Sequence, residues 1–218
     1  MSEVDASAVR DERAELEVLG TQEQYSGFVI TVTTDQVRFP DGSEAARDVV
    51  VHPGAVGVLA LDDDDRVLLV QQYRHPVRRL LWEPPAGLLD VPGEPALLAA
   101  QRELHEEAHQ MARDWWVLTD TFTTPGMCDE ALRIYLARGL TQVEVQDRYV
   151  GEHEEADMPV AWVPLDDAVR LVLTGQLHNP TAVVGILAAA EARRIGYDNL
   201  RPADSPWPER PNGAGSRG

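Results

Sequence analysis

From Arg102 to Glu107 the chain reads Arg-Glu-Leu-His-Glu-Glu, which sets three carboxylates and one guanidinium within a single short run. At about 100° per residue on a helix, Glu103 and Glu107 share a face, four residues apart, with Glu106 beside them. Like charges at that spacing cost a few tenths of a kcal/mol, so a cation is expected to compensate. Arg102 is placed to pair with Glu106, but no cation stands at helical spacing from Glu103 or Glu107. Hard divalent ions such as Mg2+ bind carboxylates, backbone carbonyls and water. Just upstream, Trp82-Glu83-Pro84-Pro85-Ala86-Gly87 reads as a strand end running into a glycine-dependent loop. A loop carbonyl near Ala86, opposite Glu103 and Glu107, would complete a metal site. Without that loop the same residues would make the solvated acidic face of an ordinary amphipathic helix.

The helix that must carry these groups is expected to begin near Glu94, whose charge suits the positive end of the helix dipole, with Pro95 in the first helical position. Leu97, Ala100, Leu104, Ala108 and Met111 then form one apolar stripe for a core.

Taken together, Gly87, Glu94 and the run Arg102 to Glu107 resemble the Nudix box, G-x5-E-x7-R-E-U-x-E-E-x-G-U, where U is a bulky aliphatic. Seven residues separate Glu94 from Arg102, as the pattern asks, and its R-E-U-x-E-E core matches at every specified position. Two positions depart from it. Six residues rather than five lie between Gly87 and Glu94, and His109 with Gln110 replace the closing Gly-aliphatic pair. That glycine would ordinarily take a left-handed, helix-ending conformation, which costs a histidine roughly 1 kcal/mol or more.

The resemblance implies an α/β fold, the Nudix α/β/α sandwich with a mixed sheet, over about residues 52–198. It also implies that the small N-terminal antiparallel β unit of residues 1–51 builds a homodimer, and that Mg2+, or alternatively Mn2+, is held by Glu103, Glu107 and the Ala86 carbonyl. Glu106 would be an additional ligand and Arg102 would orient the cluster. Members that hydrolyse ADP-ribose carry a proline about sixteen residues past the last box glycine, and Pro125 stands sixteen after His109. Similarity to that branch implies hydrolysis of ADP-ribose to AMP and ribose 5-phosphate. Its water would be activated by Glu155, or failing that Glu154, from the acidic segment 141–158. Arg47 and Asp48 would lie near the adenine end and Arg74 near phosphate. Glu83, Pro125 and Glu130 would line the substrate pocket. The same metal site would serve another nucleoside diphosphate sugar or an NADH-like dinucleotide, and a non-catalytic ligand sensor is the reading from a different class.

The whole-chain numbers bound the alternatives. At 218 residues and 24.1 kDa, one domain with an appendage is expected. A formal charge of −18, with every one of the 19 basic residues an arginine, argues against a nucleic-acid or anionic-membrane partner. The single cysteine, Cys128, excludes an intrachain disulfide and fits a reducing cytoplasm. The acidic N-terminus does not read as a signal peptide, and no apolar run reaches membrane-span length.

In chain order, strands are expected at 28–33, 36–39, 45–51, 55–61, 66–73, 115–122 and 131–137. Four adjacent aspartates, Asp62 to Asp65, read as a solvated turn rather than a metal site. A helix from Leu165 should stop at Gly175, and a second should start at Asn179-Pro180 and run to about Arg194. The proline- and glycine-rich tail, residues 199–218, is expected to be disordered.

Overall fold

The computed structural model describes residues 5–149 and 158–210 and divides into two compact units, residues 1–51 and 52–218. In the first, β1 (Glu17–Ser26), β2 (Thr31–Arg38) and β3 (Glu44–Val51) form an antiparallel meander in the order β1-β2-β3. Asp41 accepts hydrogen bonds from the Ser43 amide and hydroxyl at the β2–β3 turn, where Gly42 takes φ +83°. The turn expected between residues 33 and 36 does not form. Instead β2 runs unbroken, because cross-strand bonds from Thr21 to Asp35 and from Thr34 to Asp48 carry pairing through its polar centre.

The second unit is organised around β4 (Ala55–Ala60), whose residues are all buried. It pairs parallel with β9 (Ala131–Gln142) and antiparallel with β7 (Ala86–Leu88), while β8 (Gln110–Phe122) and the two-residue β11 (Arg201–Pro202) extend the sheet beyond β9. A second, antiparallel sheet has the order β10-β5-β6, from β10 (Val160–Pro164), β5 (Arg66–Arg74) and β6 (Arg79–Glu83). β8 starts earlier, and β9 ends later, than their apolar runs suggest. Their pairing continues to Gln110↔Gln142, so backbone hydrogen bonds carry the strands past the residues that packing selects.

Strand alternation sorts the side chains onto two cores. Ala55, Leu59 and Leu61 face one helical layer, made of α2 (Leu165–Leu173) and α3 (Pro180–Ile195). Val56, Val58 and Ala60 face the other, where α1 (Ala96–Ala108) contributes Ala99, Ala100, Leu104 and Ala108. Sheet between helices on both faces is the α/β/α layering expected. Gly57 and Gly185 let α3 sit close: a Cβ on Gly57 would come within 2.5 Å of the Thr181 methyl carbon. The Asn179 side chain caps α3 by accepting the Ala182 amide at 2.9 Å, and Gly175 at φ +69° follows the end of α2, both as the sequence suggests.

Asp62 to Asp65 form the β4–β5 turn. Asp62 accepts the amides of Asp64 and Arg66 and the Arg66 guanidinium, and Asp65 pairs with Arg138 at 3.2 Å. Of the tail expected to be disordered, residues 211–218 lie outside the described residues. Residues 201–210 are ordered, because β11 pairs with β8 and Trp207 packs on the α1-side core. Arg133, 2% exposed, holds them by donating to the Ser205 and Pro206 carbonyls. Among the described residues no helix is long and apolar enough to cross a membrane.

Candidate active site

The loop from Gly87 to Pro95 delivers the chain to α1. It contains the turn Val91-Pro92-Gly93-Glu94, closed by the Glu94 amide on the Val91 carbonyl at 3.2 Å, with Gly93 at φ +79°. Pro95 is not the first helical residue as expected. It is the N-cap, extended at ψ 139°, and its carbonyl accepts the first helical bond, from Ala99. At the other end His109 takes φ 50°, ψ 40° and closes the helix onto His105 and Leu104. It thus occupies the left-handed conformation that the missing box glycine would adopt. The helix therefore stops before Met111, which lies on β8 and is exposed rather than part of the apolar stripe.

Arg102 organises the carboxylates. Its guanidinium donates to Glu103 at 2.6 Å, to Glu106 at 3.1 Å and to both oxygens of Glu94 at 3.3 Å. The Glu94 hydrogen bond, with Coulombic help from Glu103, holds Arg102 above its ordinary range. The sequence indicates the Glu106 contact but not the others: Glu103 is adjacent and Glu94 is eight residues away, so neither has helical spacing. Glu107 turns to the loop, where Oε2 accepts the Ala86 amide at 3.0 Å. Glu103 is 9% exposed and lies against Gly87, so that a Cβ there would stand 2.0 Å from its Oε1.

The structure thus gathers Ala86, Arg102, Glu103, Glu106 and Glu107, with Gly87 and Glu94, at one end of β7 and one face of α1. Three carboxylates within one helical turn beside a backbone loop form an oxygen-only donor set, which fits a hard divalent cation. Among the described residues the acidic, histidine and cysteine side chains do not already converge as a three-ligand cage. Arg102 and the Ala86 amide hold the carboxylates in their present directions.

The other predicted residues fall elsewhere. Arg74 on β5 and Glu83 on β6 form a bidentate side-chain pair, the shortest contact 2.6 Å. Glu83 is 2% exposed, and a carboxylate so buried needs a cation. Pro125 sits in the β8–β9 connection, in a turn closed by the Met127 and Cys128 amides on the Thr124 carbonyl. Glu130 fastens that connection, accepting the Thr123 hydroxyl at 2.5 Å. Its Oε1 lies 3.7 Å from His52 Nδ1, and that nitrogen accepts the Gly54 amide at 3.1 Å. Arg47 and Asp48 lie on β3 of the N-terminal unit, Arg47 over the Phe39 ring and Asp48 bonded to Thr34. Glu154 and Glu155 lie outside the described residues.

Residues 51–182 match the NUDIX domain. This chain belongs to the Nudix hydrolase family. Across 93% of its length, and 96% of the relative's, this Nudix chain is 44% identical to a Mycobacterium tuberculosis protein named ADP-ribose pyrophosphatase. A Bacillus subtilis protein of the same name is 34% identical over 79% of this chain and 91% of its own. A Bacillus methanolicus methanol dehydrogenase activator is 31% identical with the same coverage. Among solved structures, one described as an ADP compounds hydrolase superposes with a TM-score of 0.72 at 21% identity, covering 86% of this chain and 99% of that one, a likeness of fold. Nudix hydrolases are divalent-metal enzymes, in keeping with the oxygen donor set above.

Proposed function

We propose that this enzyme hydrolyses the pyrophosphate of ADP-ribose, with Mg2+ as its metal, to AMP and ribose 5-phosphate. The observation that carries the substrate is the 44% identity, extending over nearly the whole of both chains, to a protein named ADP-ribose pyrophosphatase.

Two linked phosphates repel an attacking nucleophile, so their charge must be neutralised while a water is held in line with the bond to be broken. Glu103, Glu107 and the Ala86 carbonyl would hold Mg2+, with Glu106 as a further ligand, and when bound the cation supplies that neutralisation. Arg102 keeps Glu103 and Glu106 turned to one side, and the Ala86 amide does the same for Glu107. Glu155, or otherwise Glu154, takes the proton from the water. Arg74 is assigned to phosphate, Arg47 and Asp48 to the adenine end, and Glu83, Pro125 and Glu130 to the pocket wall. Arg74 would reach phosphate only by sharing its guanidinium with Glu83, which keeps it poised rather than free to swing. The working form is a cytoplasmic homodimer built through residues 1–51, a reading supported by β1, exposed along its whole length with Val18, Leu19 and Tyr25 uncovered.

The test is AMP release from ADP-ribose with and without Mg2+, for wild type and Glu107→Gln, beside NADH, ADP-glucose and diadenosine polyphosphates. Fastest turnover of ADP-ribose, only with metal and largely lost in the variant, is the expected result. Preferential cleavage of another compound would move the assignment to that substrate. Binding of ADP-ribose with no cleavage of anything would make the protein a sensor.

A further inference from the structure

The ordered C-terminal segment reaches the catalytic loop by a route that can be followed bond by bond. It is anchored at Arg133, which is 2% exposed, grips Asp120 through two bonds of 2.7 and 2.9 Å, and donates to the Ser205 and Pro206 carbonyls. Trp207 lies over the same guanidinium, 4.7 Å from ring centroid to carbon, and packs on the core beneath α1. Arg201 ties the start of the segment to Asp120 at 2.8 Å. Three residues past Trp207, Arg210 donates to the Glu94 carbonyl at 3.2 Å. Glu94 is the residue whose carboxylate holds Arg102, and Arg102 holds Glu103 and Glu106.

We infer that residues 201–210 are a positioning strap for the metal-binding carboxylates. Arg133 and Trp207 form its anchor, and Arg210 is the contact that sets the Glu94–Arg102 pair. Trp207, Pro208 and Arg210 line, together with Val91, Pro92 and Pro95, a cleft of about 690 Å³. The Arg210–Glu94 bond joins the segment to the loop at the edge of that cleft. The three prolines of the segment, Pro202, Pro206 and Pro208, suit it to this role, because they reduce the conformations it must give up on docking. Arg210 bonds the backbone carbonyl of Glu94, so the strap acts through Glu94 and Arg102.

This inference rests on the metal reading above, and one experiment separates the two. Mn2+ binding to the full-length, substrate-free protein is measured by electron paramagnetic resonance for wild type, Arg210→Ala, Arg210→Lys and Trp207→Ala, alongside melting temperatures and the Mg2+ dependence of ADP-ribose turnover. Arg210→Ala should weaken Mn2+ binding by about tenfold, the low end for residues that orient ligands from outside, and raise the Mg2+ needed for half-maximal rate to match. Its melting temperature and its KM for ADP-ribose at saturating Mg2+ should stay close to wild type. Arg210→Lys, which keeps a donor for the Glu94 carbonyl, should recover most of the loss, and Trp207→Ala should shift in the same direction as Arg210→Ala. Unchanged Mn2+ affinity in Arg210→Ala while wild type binds the ion overturns the strap and leaves the metal reading standing. A wild type that binds no Mn2+ overturns the metal reading and takes the strap with it.

Discussion

Glu103 occupies the space where Gly87 would carry a side chain: a Cβ on Gly87 would stand 2.0 Å from Oε1 and 2.1 Å from the carboxyl carbon. The obstructed group is the end of a flexible side chain, so Gly87→Ala displaces the Glu103 carboxylate rather than the backbone. The expected outcome is a protein that melts close to wild type but turns over ADP-ribose about 10–100-fold more slowly, as when the support of a metal ligand is lost. A calorimetric scan beside a rate assay checks both halves.

Glu107 combines a charge with a fastening role, since its Oε2 accepts the Ala86 amide. Glutamine at this position keeps an acceptor for that amide and loses only the charge. Glu107→Gln should therefore fold normally and lose several kcal/mol of transition-state stabilisation, roughly 100-fold or more in turnover. Withdrawing the metal with EDTA should stop wild-type hydrolysis, and added Mg2+ should restore it.

His109 ends α1 at φ 50°, and its Nδ1 is buried without a hydrogen-bond partner among the described residues. Replacing it with glycine removes the left-handed strain but adds backbone freedom to the unfolded chain. The net stabilisation expected is up to about 1 kcal/mol, read as a higher urea midpoint, with turnover retained. A large loss of turnover would show that the imidazole does more than end the helix.

Asp120 neutralises Arg133, which is 2% exposed. Asp120→Ala should cost about 3 kcal/mol, because it strands a buried guanidinium. The double change Asp120→Leu with Arg133→Met should recover part of that loss, and chemical denaturation of wild type and the two variants measures it.

Burial pushes the Cys128 thiol up from its ordinary value, and the neighbouring Glu130 and Asp129 add to the shift. The thiolate is the reactive form, and a raised pKa leaves less of it at neutral pH. Iodoacetamide should label Cys128 more slowly than free cysteine at pH 7, with the gap narrowing as the pH rises toward the shifted value.

Much of this protein was legible in its residues because the signals were local. The carboxylate run on α1, the Gly175 stop and the Asn179-Pro180 start each depend on a few neighbours, so their types and spacing determine them. The sequence by itself also determined the family, through the box that carries Gly87, Glu94 and the run from Arg102 to Glu107. Tertiary structure decided what distant residues must settle together. Arg102 is shared among three glutamates because the loop brings Glu94 back to the helix. Arg74 is committed to Glu83 because β5 and β6 bury that carboxylate. Residues 201–210 are ordered because Arg133, some seventy positions earlier, presents donors in a core that composition cannot reveal. Local pattern reports what a segment prefers when alone. Burial and pairing depend on which far segment arrives beside it, and only the fold determines that.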